Sequence, residues 1–166
     1  MKGVLILNVM RKLRAKFVLL VVSALFLLNL DAKAQCKQQF VYECASMQGV
    51  IFQRDFNIKL KLNSDGSSGT KFSQFLNKGS RYRFRLCVPD EIKGDVVLTL
   101  FDGAHPELSN PYASTFDKTT KKDREYFDFI CNRTAVYYLS IRYKDGKGSK
   151  KGSCAVCSLF FVGKQK

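Results

Sequence analysis

The sequence predicts an all-β protein, an antiparallel β-sandwich of jelly-roll-like form that is stapled by disulfides. Apolar and polar residues alternate with a period of two along much of the chain, as they do in half-buried antiparallel strands. Turn-forming residues separate these segments at short intervals, which is typical of sandwiches and jelly rolls. The cysteines form an even set of 6, which in an exported chain indicates disulfides.

The first 34 residues predict a cleaved signal peptide. A basic patch at residues 11–16 precedes the apolar run 17–30 and the tripeptide Ala32-Lys33-Ala34, which is the order found in signal peptides. The apolar run is shorter than the approximately 20 residues that a spanning helix needs. We therefore expect cleavage after Ala34, a secreted or periplasmic location and no membrane span after cleavage. An uncleaved anchor is the alternative. Residues 35–166 then form a single β-sandwich domain.

The net charge favours anionic partners. The whole chain has 28 Lys and Arg against 14 Asp and Glu. Without the six basic residues and one acidic residue of the predicted signal peptide, 22 and 13 remain, a net charge of +9. Such a surface attracts anions, although it also simply keeps a protein soluble. No specific nucleic-acid motif is present, so the expected partners are an anionic polysaccharide, a lipid headgroup or an envelope protein.

The predicted strands follow the alternation along the chain. They are residues 55–62, 81–88, 96–101, 126–131, 135–143 and 153–162, with a weaker candidate at 38–43. The last strand is apolar on both faces after Cys154, which predicts a central or covered position. Residues 103–124 are predicted to form a long loop, and residues 144–152 a basic hairpin loop.

Side-chain parity within the strands restricts the disulfides. Cys131 shares a face with Phe127 and Phe129, and Cys157 shares a face with Leu159 and Phe161. Both faces are core-directed, which predicts a buried Cys131–Cys157 bridge.

The other cysteines are Cys36, Cys44, Cys87 and Cys154. Cys87 lies on the outward face of its strand, where a segment lying over the sheet could reach it. The natural candidate is the N-terminal segment that holds Cys36 and Cys44, so we expect at least one long-range bridge from this segment to the sandwich. A Cys154–Cys157 bridge would need a bulge, because residues three apart in a strand are separated by about 10 Å.

Several short segments carry a family resemblance. After Cys36 and Cys44 come GSRYRFRLC at 79–87, VVLTLFD at 96–102, YFDFI at 126–130 and a Gly-Ser-Cys strand start at 152–154. This order resembles small secreted β-sandwich proteins of Bacteroidetes that have no assigned activity. The strand pattern is also similar to the bacterial pre-peptidase C-terminal domain, a jelly-roll-like accessory module of secreted enzymes. The resemblance implies a sandwich fold and carries over no catalytic residue.

The sequence lacks the motifs of the common hydrolases. His105 is the only histidine, and no Gly-x-Ser-x-Gly segment accompanies it, so a Ser–His or Cys–His site is not expected. Cys154 and Cys157 have Cys-x-x-Cys spacing without the second half of a zinc site. No catalytic residue, metal site or cofactor is therefore predicted. The alternative is an accessory glycan-active domain, or a hydrolase with a carboxylate pair from Asp90-Glu91 or Asp123/Glu125.

Five cations form the candidate anion-binding site. Arg81, Arg83 and Arg85 project from one face of a strand at intervals of about 6.6 Å, and Lys59 and Lys61 are expected on a neighbouring strand. Together they could form an anion-binding plate. The alternative is ordinary solvent-facing alternation, which also discourages edge-to-edge aggregation. The sequence therefore predicts a secreted or envelope-associated binding or structural module that is not an enzyme.

Overall fold

The structure, a computed structural model, describes residues 36–61, 68–103, 110–144 and 152–164. The predicted signal peptide with its cleavage site lies outside these residues, as do Leu62 and His105. Within the described ranges, the helices lack the length and apolarity needed to cross a bilayer.

The secondary structure consists of one α-helix, one short 3-10 helix and ten strands in the described part of the chain. They are α1 (Gln38–Ala45), β1 (Ile51–Leu60), β2 (Thr70–Leu76), β3 (Ser80–Cys87), the 3-10 helix (Asp90–Ile92), β4 (Val96–Phe101), β5 (Ala113–Ser114), β6 (Phe116–Asp117), β7 (Lys122–Asp123), β8 (Tyr126–Ile130), β9 (Ala135–Tyr143) and β10 (Ser153–Lys164).

The strands form two four-stranded antiparallel sheets and a small hairpin. The first sheet has the order β1-β10-β3-β8, the second has the order β2-β9-β4-β5, and β6 pairs with β7. The neighbours β1–β10 and β3–β8 lie in the first sheet, whereas β2–β9 and β4–β5 lie in the second. Successive strand pairs therefore alternate between the two sheets, which is the arrangement of a jelly roll. The predicted fold class, an antiparallel β-sandwich of jelly-roll-like form, is confirmed.

The core lies between the inner faces of the two sheets. Most residues at the inward positions of the first two predicted strands are buried, with Phe56, Leu60 and Phe84 at 4% exposure or less. Leu86 and Val88, at the end of the second, are only partly buried. The core residues from the second sheet include Leu98 and Leu139, which are fully buried. The alternation in the sequence therefore identified the core face correctly.

Strand β10 is central and covered on both sides, as predicted. Its outward side chains Val156, Ser158 and Phe160 are fully buried. Two disulfides hold the segment of α1 to this sheet, Cys36–Cys154 and Cys44–Cys87. The outer face of the first sheet is therefore closed by the chain's own N-terminal segment, and the expected long-range bridge is present twice.

The predicted Cys131–Cys157 bridge is wrong, since both residues are buried free thiols. The register explains why. Ile130 pairs with Arg81, which brings the next residue, Cys131, level with Ser80. Cys157 pairs with Leu86, six positions further along β3. Six positions correspond to about 20 Å, far beyond the reach of a disulfide.

Two further predictions are corrected, and one strand of the structure was not predicted. The weak strand candidate at 38–43 is part of the helix α1, in which side chains four apart bond each other, Gln38 to Tyr42 at 3.0 Å and Gln39 to Glu43 at 2.9 Å. The strand β2 was not predicted, because its alternation is broken: Gln74 faces inward, whereas Phe75 is 56% exposed. The predicted loop 103–124 also contains the short strands β5, β6 and β7.

Candidate anion-binding site

The three predicted arginines lie on the outer face of the first sheet, but they have partners within the chain. Arg83 forms two hydrogen bonds with the Asp128 carboxylate, from Nε at 2.6 Å and from Nη2 at 3.0 Å. Arg81 also donates to Asp128. The guanidinium of Arg83 lies 4.1 Å from the ring centroid of Tyr126. These contacts lower the pKa of Asp128, chiefly through the hydrogen bond from Arg83.

Arg85 donates hydrogen bonds to the end of the helix α1. Its Nη1 donates to the backbone carbonyls of Ser46 at 3.1 Å, Glu43 at 3.4 Å and Cys44 at 3.5 Å. These carbonyls belong to the C-terminal turn of α1, where an isolated helix leaves acceptors unpaired and where positive charge is stabilising. Arg85 therefore anchors α1 to the sheet together with the Cys44–Cys87 disulfide.

Lys59 and Lys61 do not join the arginines. The strand β10 lies between β1 and β3, so the expected neighbouring position is wrong. Lys59 pairs with Cys154, beyond the point where Val156 meets Cys87 at the end of β3. The five-residue plate is therefore not assembled, and anion binding by these residues stays a prediction.

The outer face of the second sheet has a different character. Along β9 its outward residues are Val136, Tyr138, Ser140 and Arg142, which change from apolar to cationic towards the end of the strand. Next to that end, the face carries a pocket of about 370 Å³, which we call the basic pocket.

The basic pocket combines three kinds of side chain. Its cations are Lys118, Arg142 and Lys144, its neutral polar residues are Thr99, Asn110 and Ser114, and its apolar residues are Val97, Phe101, Pro111 and Phe116. The carboxylates of the described ranges do not contribute to its lining. A cavity of this size falls in the range of small-molecule sites, about 300–1,000 Å³.

Local hydrogen bonds hold the wall of the basic pocket in place. The buried Thr115 hydroxyl accepts the Leu98 N–H at 3.0 Å, which ties the segment between β5 and β6 to β4. The Asp117 carboxylate accepts the N–H groups of Thr119 at 2.9 Å and Thr120 at 3.1 Å, and these bonds, that of Thr120 foremost, lower its pKa. The turn that carries Lys118 is therefore preorganised.

The cations of the basic pocket differ in whether they already form an ion pair within the protein. Lys144 forms an ion pair with Asp123 and lies 4.3 Å from the ring centroid of Phe116. Arg142 donates to the backbone carbonyl of Tyr143 at 3.4 Å. Neither Arg142 nor Lys118 has an ion-pair partner among the residues that the structure describes. Both side chains are exposed, so their charges are available to a ligand.

A second cleft, of about 290 Å³, lies where α1 meets the end of β3. It contains both Asp123 and Glu125, the carboxylates of the enzyme alternative. Each faces a cation of the chain, Asp123 the ammonium of Lys144 and Glu125 the guanidinium of Arg85 at 3.6 Å. Asp90 and Glu91 lie exposed in the 3-10 helix. Catalysis by either pair stays a prediction.

Sequence reasoning missed the basic pocket because its residues are distant in sequence. Lys118 belongs to a segment that was predicted to be a loop, and Arg142 and Lys144 follow 24 and 26 positions later. The one available signal is Arg142 itself, an isolated cation on the outward face of an apolar strand. Only the pairing of β9 with β4 shows which groups surround it.

The comparisons with known proteins assign no family. No protein-family model matches the chain, and no curated protein matches it. One similar solved structure is PliG of Aeromonas hydrophila, a periplasmic lysozyme inhibitor of g-type lysozyme, with 9% identity, a TM-score of 0.47 and coverage of 70% of this chain and 90% of that chain. Another is the Glycosylation Associate Protein (Gap123) complex of Streptococcus agalactiae, with 17% identity, a TM-score of 0.38 and coverage of 78% of this chain and 44% of that chain. These values are too low to transfer a function, and the Bacteroidetes and pre-peptidase resemblances stay predictions.

Proposed function

We propose that the protein is an exported, non-enzymatic binding module that holds an anionic ligand in the basic pocket. The main support for this proposal is the lining of the pocket. It contains three cations and no carboxylate from the described residues. Lys118 and Arg142 are exposed, so a ligand can reach both charges without breaking an ion pair of the protein. Cationic donors form stronger hydrogen bonds to anions than neutral donors do.

Two further features support this proposal. On the outer face of the first sheet, α1 covers part of β10, and Arg81, Arg83 and Arg85 already bond to partners within the chain. The two disulfides also favour an oxidising compartment, since such bonds rarely persist in the cytosol. Export through the predicted signal peptide fits both the disulfides and the basic surface.

The test compares two pairs of cations with equal charge. The probe is tripolyphosphate, a bare polyanion, and its binding to the purified protein is measured by calorimetry at low salt. The variant Lys118→Gln/Arg142→Gln should bind about tenfold more weakly, since it loses two charge-assisted contacts at a partly exposed site. The matched control is Lys59→Gln/Lys61→Gln, which removes the same charge from the first sheet.

The control should bind the probe as the unmodified protein does. Equal losses in both variants would show that only net charge matters and would overturn the proposal. A larger loss of binding in the control would instead support the anion-binding role that the sequence predicts for Lys59 and Lys61. Thermal unfolding of both variants verifies that each remains folded.

A further inference from the structure

The floor of the basic pocket is longer than a simple anion requires. It consists of the outward side chains of β4, Val97, Thr99 and Phe101, at alternate positions of the strand. Val97 and Phe101 are four positions apart, which corresponds to about 13 Å along a strand. A phosphate or sulfate ion needs only cations and hydrogen-bond donors. The length and apolar ends of this floor therefore indicate a ligand with a carbon body beside its charge.

The neutral polar groups point to hydroxyl recognition. The Thr99 side chain, which is only 6% exposed, lies in the middle of the floor, and the exposed Asn110 amide lies in the same pocket. The Ser114 hydroxyl already accepts the Phe116 N–H at 3.1 Å but can still donate. Hydroxyls and amides both donate and accept, so they match a ligand that carries several hydroxyl groups.

The two phenylalanine rings of the pocket can contact a ligand, but they leave little exposed ring face on which a flat ligand could stack. The ammonium of Lys144 lies 4.3 Å from the centroid of Phe116 and so covers one face of that ring. Phe101 is only 7% exposed. A flat nucleobase needs an open ring face, whereas the C–H groups of a sugar ring need only a small apolar surface. An acyl chain would need far more apolar surface than this floor provides.

We infer that the ligand of the basic pocket is an acidic saccharide, a short sugar chain with carboxylate or sulfate groups. Its ring lies on the floor formed by β4, its hydroxyls bond Thr99 and Asn110, and its acidic group faces Lys118 and Arg142. This inference rests on the proposed function and adds the class of ligand.

The experiment compares ligands that differ in charge and in the chemical nature of their carbon body. Binding of trigalacturonate, its neutral galactose counterpart, tripolyphosphate, AMP and phosphatidylglycerol vesicles is measured with the purified protein. Trigalacturonate should bind at least about tenfold more tightly than the neutral sugar, since the cations recognise its carboxylates. It should also bind more tightly than tripolyphosphate despite its lower charge density.

A conservative variant separates the sugar contact from the charge contact. Thr99→Val removes the hydroxyl while keeping a β-branched shape, and it should weaken trigalacturonate binding about three- to tenfold and leave tripolyphosphate binding unchanged. The control is Ser73→Ala, an exposed hydroxyl on the same sheet outside the pocket.

The outcomes distinguish the two proposals. If tripolyphosphate binds through Lys118 and Arg142 and trigalacturonate binds no better, the ligand class is wrong and the proposed function stands. Tighter binding of AMP or of the vesicles would also overturn the acidic saccharide. If none of the anions binds at the basic pocket, both proposals are wrong.

Discussion

Asp128 holds two of the outward arginines of the first sheet, Arg81 and Arg83, in place. It accepts hydrogen bonds from both Arg81 and Arg83, and its side chain is only 18% exposed. The hydrogen bond to Asp128 in turn raises the pKa of Arg83. The cluster of Asp128, Arg81 and Arg83 therefore stabilises the pairing of β3 with β8, and these two arginines are not free charges.

The first prediction concerns the pH dependence of this cluster. Because the folded pKa of Asp128 lies below its unfolded value, its contribution to stability is complete above the unfolded pKa of about 3.9 and is lost as the pH falls through the folded pKa. Asp128→Asn should lower the free energy of unfolding at pH 7 by about 1–3 kcal/mol. Its stability should then decline less steeply below about pH 4. Urea unfolding at several pH values measures both effects.

The control for this prediction is Glu91→Gln, which neutralises an exposed carboxylate of the 3-10 helix. This variant should keep the pH profile of the unmodified protein. Identical profiles for the two variants would contradict the role assigned to Asp128.

The second prediction concerns the two free thiols. Cys157 is fully buried, and burial raises the pKa of its thiol. Cys131 is also buried, and its Sγ lies 3.0 Å from the carbonyl oxygen of Arg133 and 3.6 Å from the Tyr137 hydroxyl. Because a thiol reagent needs an accessible thiolate, the native protein should show no reactive thiol. After unfolding without reductant it should show both.

This measurement decides between the structure and the parity argument. A protein that shows no thiol even after unfolding would contain the Cys131–Cys157 bridge that the sequence predicted. Rapid reaction in the native state would show that the core around these cysteines opens.

At the scale of elements, α1 is held by its bridges and by the face it presents to the sheet. Cys44 is buried and Phe40, Val41 and Ala45 are half-buried, whereas Gln38, Gln39, Tyr42 and Glu43 are exposed. This spacing is that of an amphipathic helix. The helix could therefore have been predicted, but the apolar triplet at residues 40–42 favoured a strand when considered alone.

The third prediction concerns the bridges of α1. The Cys36–Cys154 bridge joins residues 118 apart, and the Cys44–Cys87 bridge joins residues 43 apart. On the entropy model these closures stabilise the fold by about 5 and 4 kcal/mol. Cys36→Ala/Cys154→Ala should therefore lower the free energy of unfolding by about 4–5 kcal/mol. Loosening of α1 should also expose Phe160, which binding of a hydrophobic dye would report.

Reductant provides the control for the bridges. It should destabilise the unmodified protein strongly and the variant with all four alanines not at all. If Cys36→Ala/Cys154→Ala is as stable as the unmodified protein, the bridge does not anchor α1.

At the scale of the whole molecule, the two sheets have different roles. The first sheet is covered by α1, and its outward arginines bond to Asp128 and to the end of the helix. The second sheet carries the basic pocket on its outer face. A basic surface attracts anions in general, whereas the proposed function assigns the holding of one anion to Lys118 and Arg142 of the basic pocket.

The sequence by itself determined the class of the fold and the inward face of most strands. Alternation is a local property, since neighbouring side chains of any strand point to opposite faces. It therefore placed Phe56 and Phe84 in the core, predicted a covered β10 and placed Cys87 under the N-terminal segment.

Only the tertiary structure decided which distant residues meet. The pairing of β3 with β8 and β10 separates Cys131 from Cys157 and brings Asp128 to Arg83. The pairing of β9 with β4 places Arg142 above the floor of the basic pocket. Register between strands far apart in sequence depends on packing and turn geometry across the whole sandwich. Alternation within one strand contains no information about that register.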